Sequence, residues 1–279
     1  MASEVWFITG ASSGFGRALT EAALAAGHRV VATARRPETL DDLAAARPAD
    51  LLAATLDVTD HRQVRAAVAA AVERFGRIDV LVNNAGHGLV GALEELSEDQ
   101  IRAVLEVNLL GVMAVTRAVL PHMRAARRGH VVALSSVGGM VANPGHVLYG
   151  TSKFALEGMC EALAGEVAPL GIRVTIVEPG PFRTDFAGRS MTFAEPIDDY
   201  RDTPAGRLRE RSSAQDGVQP NDPAKAAEAI LRAVADPGSP LRLPLGPEAV
   251  DRIRAKLRAQ LDDLAAWETV SRDTRYADA

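Results

Sequence analysis

The chain of 279 residues holds one cysteine, Cys160, so it can form no intramolecular disulfide, and a reducing, cytoplasmic setting is expected. Lysine is almost missing. Lys153, Lys225 and Lys256 are the only ones among 31 basic residues, a bias that reads as base composition and not function. There is no excess of positive charge: 36 acidic residues leave a net charge of −5 and a pI near 5.7. This removes the bulk electrostatic case for nucleic acid or an anionic membrane. Long apolar runs are also lacking. The runs are four to six residues long and broken by Gly, Arg or Asp, against the roughly 20 a spanning helix needs. The first of them, Val5 to Ile8, enters a glycine-rich turn at once, so no export signal is expected. What remains, 47% hydrophobic and 24% charged residues with mean hydropathy near zero, excludes a disordered or collagen-like chain. Small molecules are the expected partners.

Short β-rich runs alternate with alanine-rich amphipathic segments, the pattern of repeated βα units around a buried parallel sheet. Strands are predicted at Val5–Thr9, Arg29–Ala34, Leu51–Asp57, Val80–Asn83, His130–Ser135, Arg173–Glu178 and Leu241–Leu245. Helical patterns lie near Gly14–Ala26, Thr39–Ala46, His61–Phe75, Glu98–Val119, Tyr149–Ala168 and Pro223–Ala235. From Asp185 to Pro220 the alternation fails, and a segment this long inside a compact domain reads as a flap. Val250, Ile253, Leu257, Leu261, Leu264 and Trp267 recur three or four apart, one stripe of a C-terminal helix that packs on its own chain or covers a subunit interface. The expectation is an α/β chain with a doubly wound, seven-stranded parallel sheet. It forms one domain over 1–279, with a substrate flap at 185–221 and a terminal helix at 247–269.

Directly after the first strand come Gly10, Ser12, Ser13, Gly14, Phe15 and Gly16 in Thr9-Gly-Ala-Ser-Ser-Gly-Phe-Gly, and a helical pattern follows without a gap. Glycine serves where φ is positive and where a pyrophosphate must approach the backbone, and the helix N-terminus offers free N–H groups. About 20 residues on, where an acid would bind a ribose 2′-hydroxyl, the chain reads Ala34-Arg35-Arg36. A guanidinium there, Arg35 first, suits a 2′-phosphate, so NADP(H) is expected with NAD(H) possible. Asp57 and Val58 end the third strand beside a purine site, and Asn84, Ala85 and Gly86 make a small-residue turn after the fourth; ligands of open α/β sheets sit outside these carboxyl ends.

Thirteen residues past Ser136, Tyr149 and Lys153 stand four apart, one helical face on which an ammonium can stabilise a tyrosinate. Pulling a phenol from about 10 toward 7 takes roughly 4 kcal/mol, to be shared by Lys153, the helix dipole and an oxidised nicotinamide; Tyr149 then becomes a usable acid or base. Together with Thr9-Gly-x-x-x-Gly14-x-Gly16, Asn83-Asn84-Ala85-Gly86, Asn108 in Glu-Val-Asn-Leu-Leu-Gly, Ser136 and Pro179-Gly180, this chain resembles the short-chain dehydrogenase/reductase family over most of its length. The glycine loop, Ala34-Arg35-Arg36-Pro37 and Glu178-Pro-Gly-Pro-Phe-Arg-Thr184 are similar to its hydroxysteroid-dehydrogenase-like, carbonyl-reductase branch.

The resemblance implies a Rossmann fold and a tetrad. In it Tyr149 exchanges a proton with the substrate oxygen, Ser136 orients that oxygen, Lys153 lowers the tyrosine pKa and binds the nicotinamide ribose, and Asn108 holds a water leading to Lys153. It also implies that Pro179, Gly180, the Phe182 backbone and Thr184 face the nicotinamide, and that two or four copies assemble through the helices carrying Asn108 and Tyr149. No metal is expected, since the six histidines show no tight ligand spacing. Met140, Val141, Val147, Phe182, Phe186, Met191 and Phe193 suit a ketone or alcohol of low polarity. The expected reaction is NADP(H)-linked interconversion of a carbonyl and an alcohol. The rivals are an NAD-linked alcohol dehydrogenase and a non-catalytic NADP(H) sensor.

Overall fold

A computed structural model describes residues 3–214 and 217–276. In chain order the elements are β1 (Val5–Ile8), α1 (Gly14–Ala25), β2 (Arg29–Ala34), α2 (Asp41–Ala46), β3 (Leu51–Thr55), α3 (His61–Phe75), β4 (Val80–Asn83) and β5 (Gly88–Val90). There follow α4 (Glu98–Leu105), α5 (Val112–Ala126), β6 (Gly129–Leu134), α6 (Val147–Val167), β7 (Ile172–Pro179), β8 (Met191–Phe193), α7 (Pro204–Ala214), α8 (Pro223–Ala235), β9 (Arg242–Leu245) and α9 (Pro247–Arg272). Seven strands form one sheet in the order β3-β2-β1-β4-β6-β7-β9, every pair parallel.

Alternation along β1 shows why the sheet is buried on both faces. Val5 and Phe7 join the core under α3, α5 and α6, with Val68, Val115 and Leu156. Trp6 and Ile8 join the opposite core under α1 and α8, with Leu19 and Ile230. The strand order reverses between β1 and β4, and that switch point leaves a crevice at the carboxyl ends of both strands, where the glycine loop begins.

Two expectations need correction. The pattern predicted as one helix over Glu98–Val119 is α4, a π-helical turn at Glu106–Gly111, and α5, which runs on to Ala126. The turn brings Gly111 onto Val58, where a Cβ would stand 2.6 Å from the Val58 methyl; such bulges occur often at functional sites. Taken together, Glu98–Ala126 is long and apolar enough to cross a membrane by length and composition, contrary to the sequence reading. Its scattered charges break every apolar run without lowering the average, and its Val112, Val115, Val119 and Met123 pack in the core under the sheet. The segment expected as a flap holds short regular elements of its own. It contains β8, paired in parallel with β5, and the 11-residue α7. The C-terminal helix packs on its own chain only at its start, through Ala249 and Ile253 against Val137, Met140 and Val141.

Candidate active site

The glycine loop has the geometry its sequence predicts. Gly10 and Gly14 take positive φ values of 65° and 53°, which L side chains adopt only with strain. Gly16 needs the space itself: a Cβ there would stand 2.3 Å from the Gly10 carbonyl oxygen and 2.5 Å from Asn84 Nδ2. Asn84 ties the loop to β4, its Nδ2 donating to the Thr9 and Gly10 carbonyls at 2.8 and 3.0 Å. The Thr9 hydroxyl accepts from the amides of Asn84 and Ala85 at 2.9 and 3.0 Å. Ser13 caps α1 with extended backbone and no side-chain bond, so the first-turn amides stay open toward the crevice. The loop after β7 closes the other side. Thr184 lies against Gly14, the Phe182 ring packs on Phe15 at 5.1 Å, and the Gly180 amide donates to Leu245 O at 2.9 Å.

Arg35 projects from the end of β2, exposed, with no hydrogen-bond or ion-pair partner among the described residues. Arg17, on α1, is tied up by Asp42 and by Glu21. Asp57 Oδ1 accepts from the amide and hydroxyl of Thr59 at 3.0 and 2.7 Å, an Asx turn that fixes the edge of β3. The Val58 side chain points into the core instead of the crevice.

Tyr149, Lys153, Ser136 and Asn108 converge at the carboxyl ends of β4 and β6. Tyr149 is buried, its ring 5.6 Å from Phe186 and 5.8 Å from His146. Lys153 Nζ donates to Leu134 O at 2.7 Å and lies 5.8 Å from the centre of the Tyr149 ring. Burial pushes the phenol up to about 12, a shift opposed by a hydrogen bond with Ser136, and pushes the ammonium down to about 8. The depression expected for Tyr149 is therefore not produced by the chain's own groups, because desolvation outweighs a cation directed at a carbonyl. Asn108 is wholly buried in the π turn. Its Oδ1 accepts from the His87 amide at 3.0 Å, and its Nδ2 donates to His87 O at 2.9 Å and to Ser152 Oγ at 3.1 Å. Ser152 in turn donates to Tyr149 O at 2.7 Å, so the tyrosine's backbone and Asn108 share one network.

The sequence reading missed a buried charge cluster behind this site. One helical turn past Lys153, Glu157 accepts from Arg242 Nε at 3.1 Å. Fully buried Glu178 lies 3.6 Å from the same nitrogen, with no hydrogen-bond donor on either oxygen. Burial and the Glu157 charge push the Glu178 carboxyl up to about 7. The four-residue spacing of Tyr149, Lys153 and Glu157 was the available signal for one of the two acids. No cluster of metal-ligating side chains occurs among the described residues.

The short chain dehydrogenase family model matches residues 4–194. The oxidoreductase BOA17 of Botryotinia fuckeliana is 42% identical over 250 residues, 89% of this chain and 91% of that protein. The 3-ketodihydrosphingosine reductase of Bacteroides thetaiotaomicron is 38% identical over 266 residues, 94% and 95%. A solved short-chain dehydrogenase from Streptomyces avermitilis superposes with a TM-score of 0.93 at 47% identity, covering 99% of this chain and 100% of its own. More distant structures carry different dinucleotides. A Burkholderia phymatum protein in complex with NAD (26% identity, 92% of this chain and 95% of that one, TM-score 0.81) and a Thermococcus sibiricus alcohol dehydrogenase with 5-hydroxy-NADP (27%, 88% and 95%, 0.71) both share the fold.

Proposed function

From the premise that this chain belongs to the short-chain dehydrogenase/reductase family and is an oxidoreductase, we propose that it is an NADP(H)-dependent carbonyl reductase, interconverting a ketone or aldehyde and the corresponding alcohol. The observation that carries the chemistry is the convergence of Tyr149, Ser136 and Lys153 at the mouth of a crevice floored by a loop with no room for a Cβ at Gly16. That loop fits a dinucleotide pyrophosphate, with the amides of Ser12 to Gly16 directed at the phosphates. Asp57 and the Val58 backbone would flank the adenine, and Ala85 and Gly86 the ribose. Pro179, Gly180, the Phe182 backbone and Thr184 would border the nicotinamide. When bound, the cofactor supplies the hydride in one direction and a positively charged ring in the other.

The protein's own share is the proton. A phenol held protonated by burial is a donor to the carbonyl oxygen, while Ser136 orients that oxygen and Lys153 keeps positive charge beside the phenol. Asn108 and Ser152 hold the backbone from which Tyr149 projects. Phe186 and His146 pack on the Tyr149 ring, which favours a substrate of low polarity. The test is NADPH consumption against ketones and aldehydes graded in size, with NADH in parallel. Turnover of a bulky apolar ketone with NADPH is expected; tight NADPH binding without turnover of any compound would overturn the reductase in favour of a sensor.

Cofactor choice rests on the unpartnered Arg35 beyond Ala34. Arg35→Asp is expected to weaken NADPH by roughly tenfold to a hundredfold, the 1.5–3 kcal/mol of a charge-assisted bond, and to leave NADH little changed. Equal losses for both cofactors would remove Arg35 from the 2′-phosphate and support the NAD-linked rival. Gly16→Ala is expected to cost roughly 1–3 kcal/mol of stability by overpacking the loop. It should also abolish the rise in Tm that NADPH gives the parent protein, and a preserved rise would place the pyrophosphate elsewhere.

A further inference from the structure

Beyond its first turns, α9 leaves the body of the protein. Every residue from 257 to 276 is exposed. The apolar stripe continues all the same, with Leu257 46% exposed, Leu261 64%, Leu264 62%, Trp267 65% and Val270 61%. The free part, 257–272, spans about 24 Å, and a helix of that length is marginal in water unless its apolar face is covered. Arg254, Lys256 and Arg258 lie toward the body, whereas Asp262, Asp263 and Glu268 lie toward the tip. Arg258 and Asp263 have no ion-pair partner among the described residues. Arg254 and Glu268 have only local ones, Asp251 at 3.3 Å and Arg272 at 2.7 Å. Residues 247–276 carry six basic and six acidic groups, so the helix has no net charge with which to seek an anionic membrane.

We propose that α9 is a self-recognition surface through which two copies of this chain pair antiparallel about a two-fold axis near Leu261. In an isologous contact each residue i that meets j is matched by j meeting i. Reversing the helix direction then sets the basic half of one copy on the acidic half of the other, whereas a parallel pair would oppose like charges. With the axis at Leu261, Arg254 falls opposite Glu268, Leu257 opposite Ala265 and next to Leu264, and Arg258 opposite Leu264 and next to Asp263. This contact is separate from the helices carrying Asn108 and Tyr149, so it doubles whatever assembly those helices make.

The test is the solution mass of the full chain by sedimentation velocity. Leu261→Glu with Leu264→Glu should halve it, with the fold of the body kept, because neither residue belongs to its core, and with any loss of helical circular dichroism confined to the free end of α9. Arg258→Glu alone and Asp263→Arg alone should each weaken the pair, and the two together should restore it. Leu261→Cys should cross-link to its own counterpart on mild oxidation, whereas Ala255→Cys, off the stripe, should not; native Cys160 is buried and does not compete. Equal masses for the parent protein and the double-Glu variant would overturn the proposal. So would failure of the charge swap to restore the mass, or flotation of the parent protein as the smaller species with phosphatidylcholine/phosphatidylglycerol vesicles.

Discussion

Tyr149→Phe is expected to lower kcat by roughly 10²- to 10⁴-fold while leaving NADPH affinity within about twofold. The substitution removes one oxygen and nothing else. The ring stays packed between Phe186 and His146, Lys153 keeps its bond to Leu134 O, and the glycine loop lies on other elements. The size of the effect follows from the electrostatics of the site. Burial holds the Tyr149 phenol well above its ordinary value, up to about 12, so at neutral pH the group is a proton donor. Lys153, pushed down to about 8, is the cation beside the phenol and loses its charge as pH rises past that value. Reduction should therefore lose speed as pH rises past 8 in the parent protein, and the Phe variant should be slow at every pH. Single-turnover NADPH oxidation and NADPH fluorescence titration separate chemistry from binding. Turnover comparable to the parent protein would assign the proton to another group.

How far the sequence speaks depends on how local the cause is. The seven strands are legible because each is a short, mostly apolar run that ends at turn-forming, polar or charged residues. Gly10, Gly14 and Gly16 are legible because their spacing and their place after a strand have a steric reason, now visible as a Cβ with nowhere to go at Gly16. The π turn at Glu106–Gly111 is not legible, since it depends on Val58 arriving against Gly111 from 53 residues away. Order within the flap hides for the same reason. β8 exists only by pairing three residues with β5, about 100 positions earlier, too short a run for period-2 alternation to register. Tyr149 and Lys153 could be placed on one face from spacing alone, but the direction of the tyrosine's shift could not, because it is set by burial and by Lys153 turning to Leu134 O. Glu178 reads as a strand end before a Pro-Gly turn; its isolation follows from Glu157 on α6 and Arg242 on β9.

That isolation makes Arg242→Met the substitution with the largest expected cost in stability, roughly 3–5 kcal/mol at pH 8. Met keeps much of the aliphatic stem that Arg packs, so the loss is the charge. Arg242 is the guanidinium facing Glu157 at 3.1 Å, Glu178 at 3.6 Å and Glu161 at 2.5 Å, and without it two buried carboxylates oppose each other unpaired. The loss should depend on pH in a definite sense. Both buried acids are raised above their ordinary value of 4.5 in the folded protein, Glu178 to about 7. A raised carboxyl contributes stability that is fully present below 4.5 and is lost as pH rises through about 7, on the order of 3 kcal/mol for Glu178. Removing Arg242 raises both acids further, so the variant should approach the parent protein at pH 5 and fall away from it at pH 8. His130 and His146, held neutral by burial, lose stability toward low pH in both proteins and cancel in the difference. Urea midpoints at the two pH values measure it. Adding Glu178→Gln to the variant should recover much of the deficit at pH 8, because the amide carries no charge to strand. An equal deficit at both pH values, unmoved by the added substitution, would mean that Arg242 stabilises this edge of the sheet by packing and that the carboxylates beneath Lys153 are already neutral.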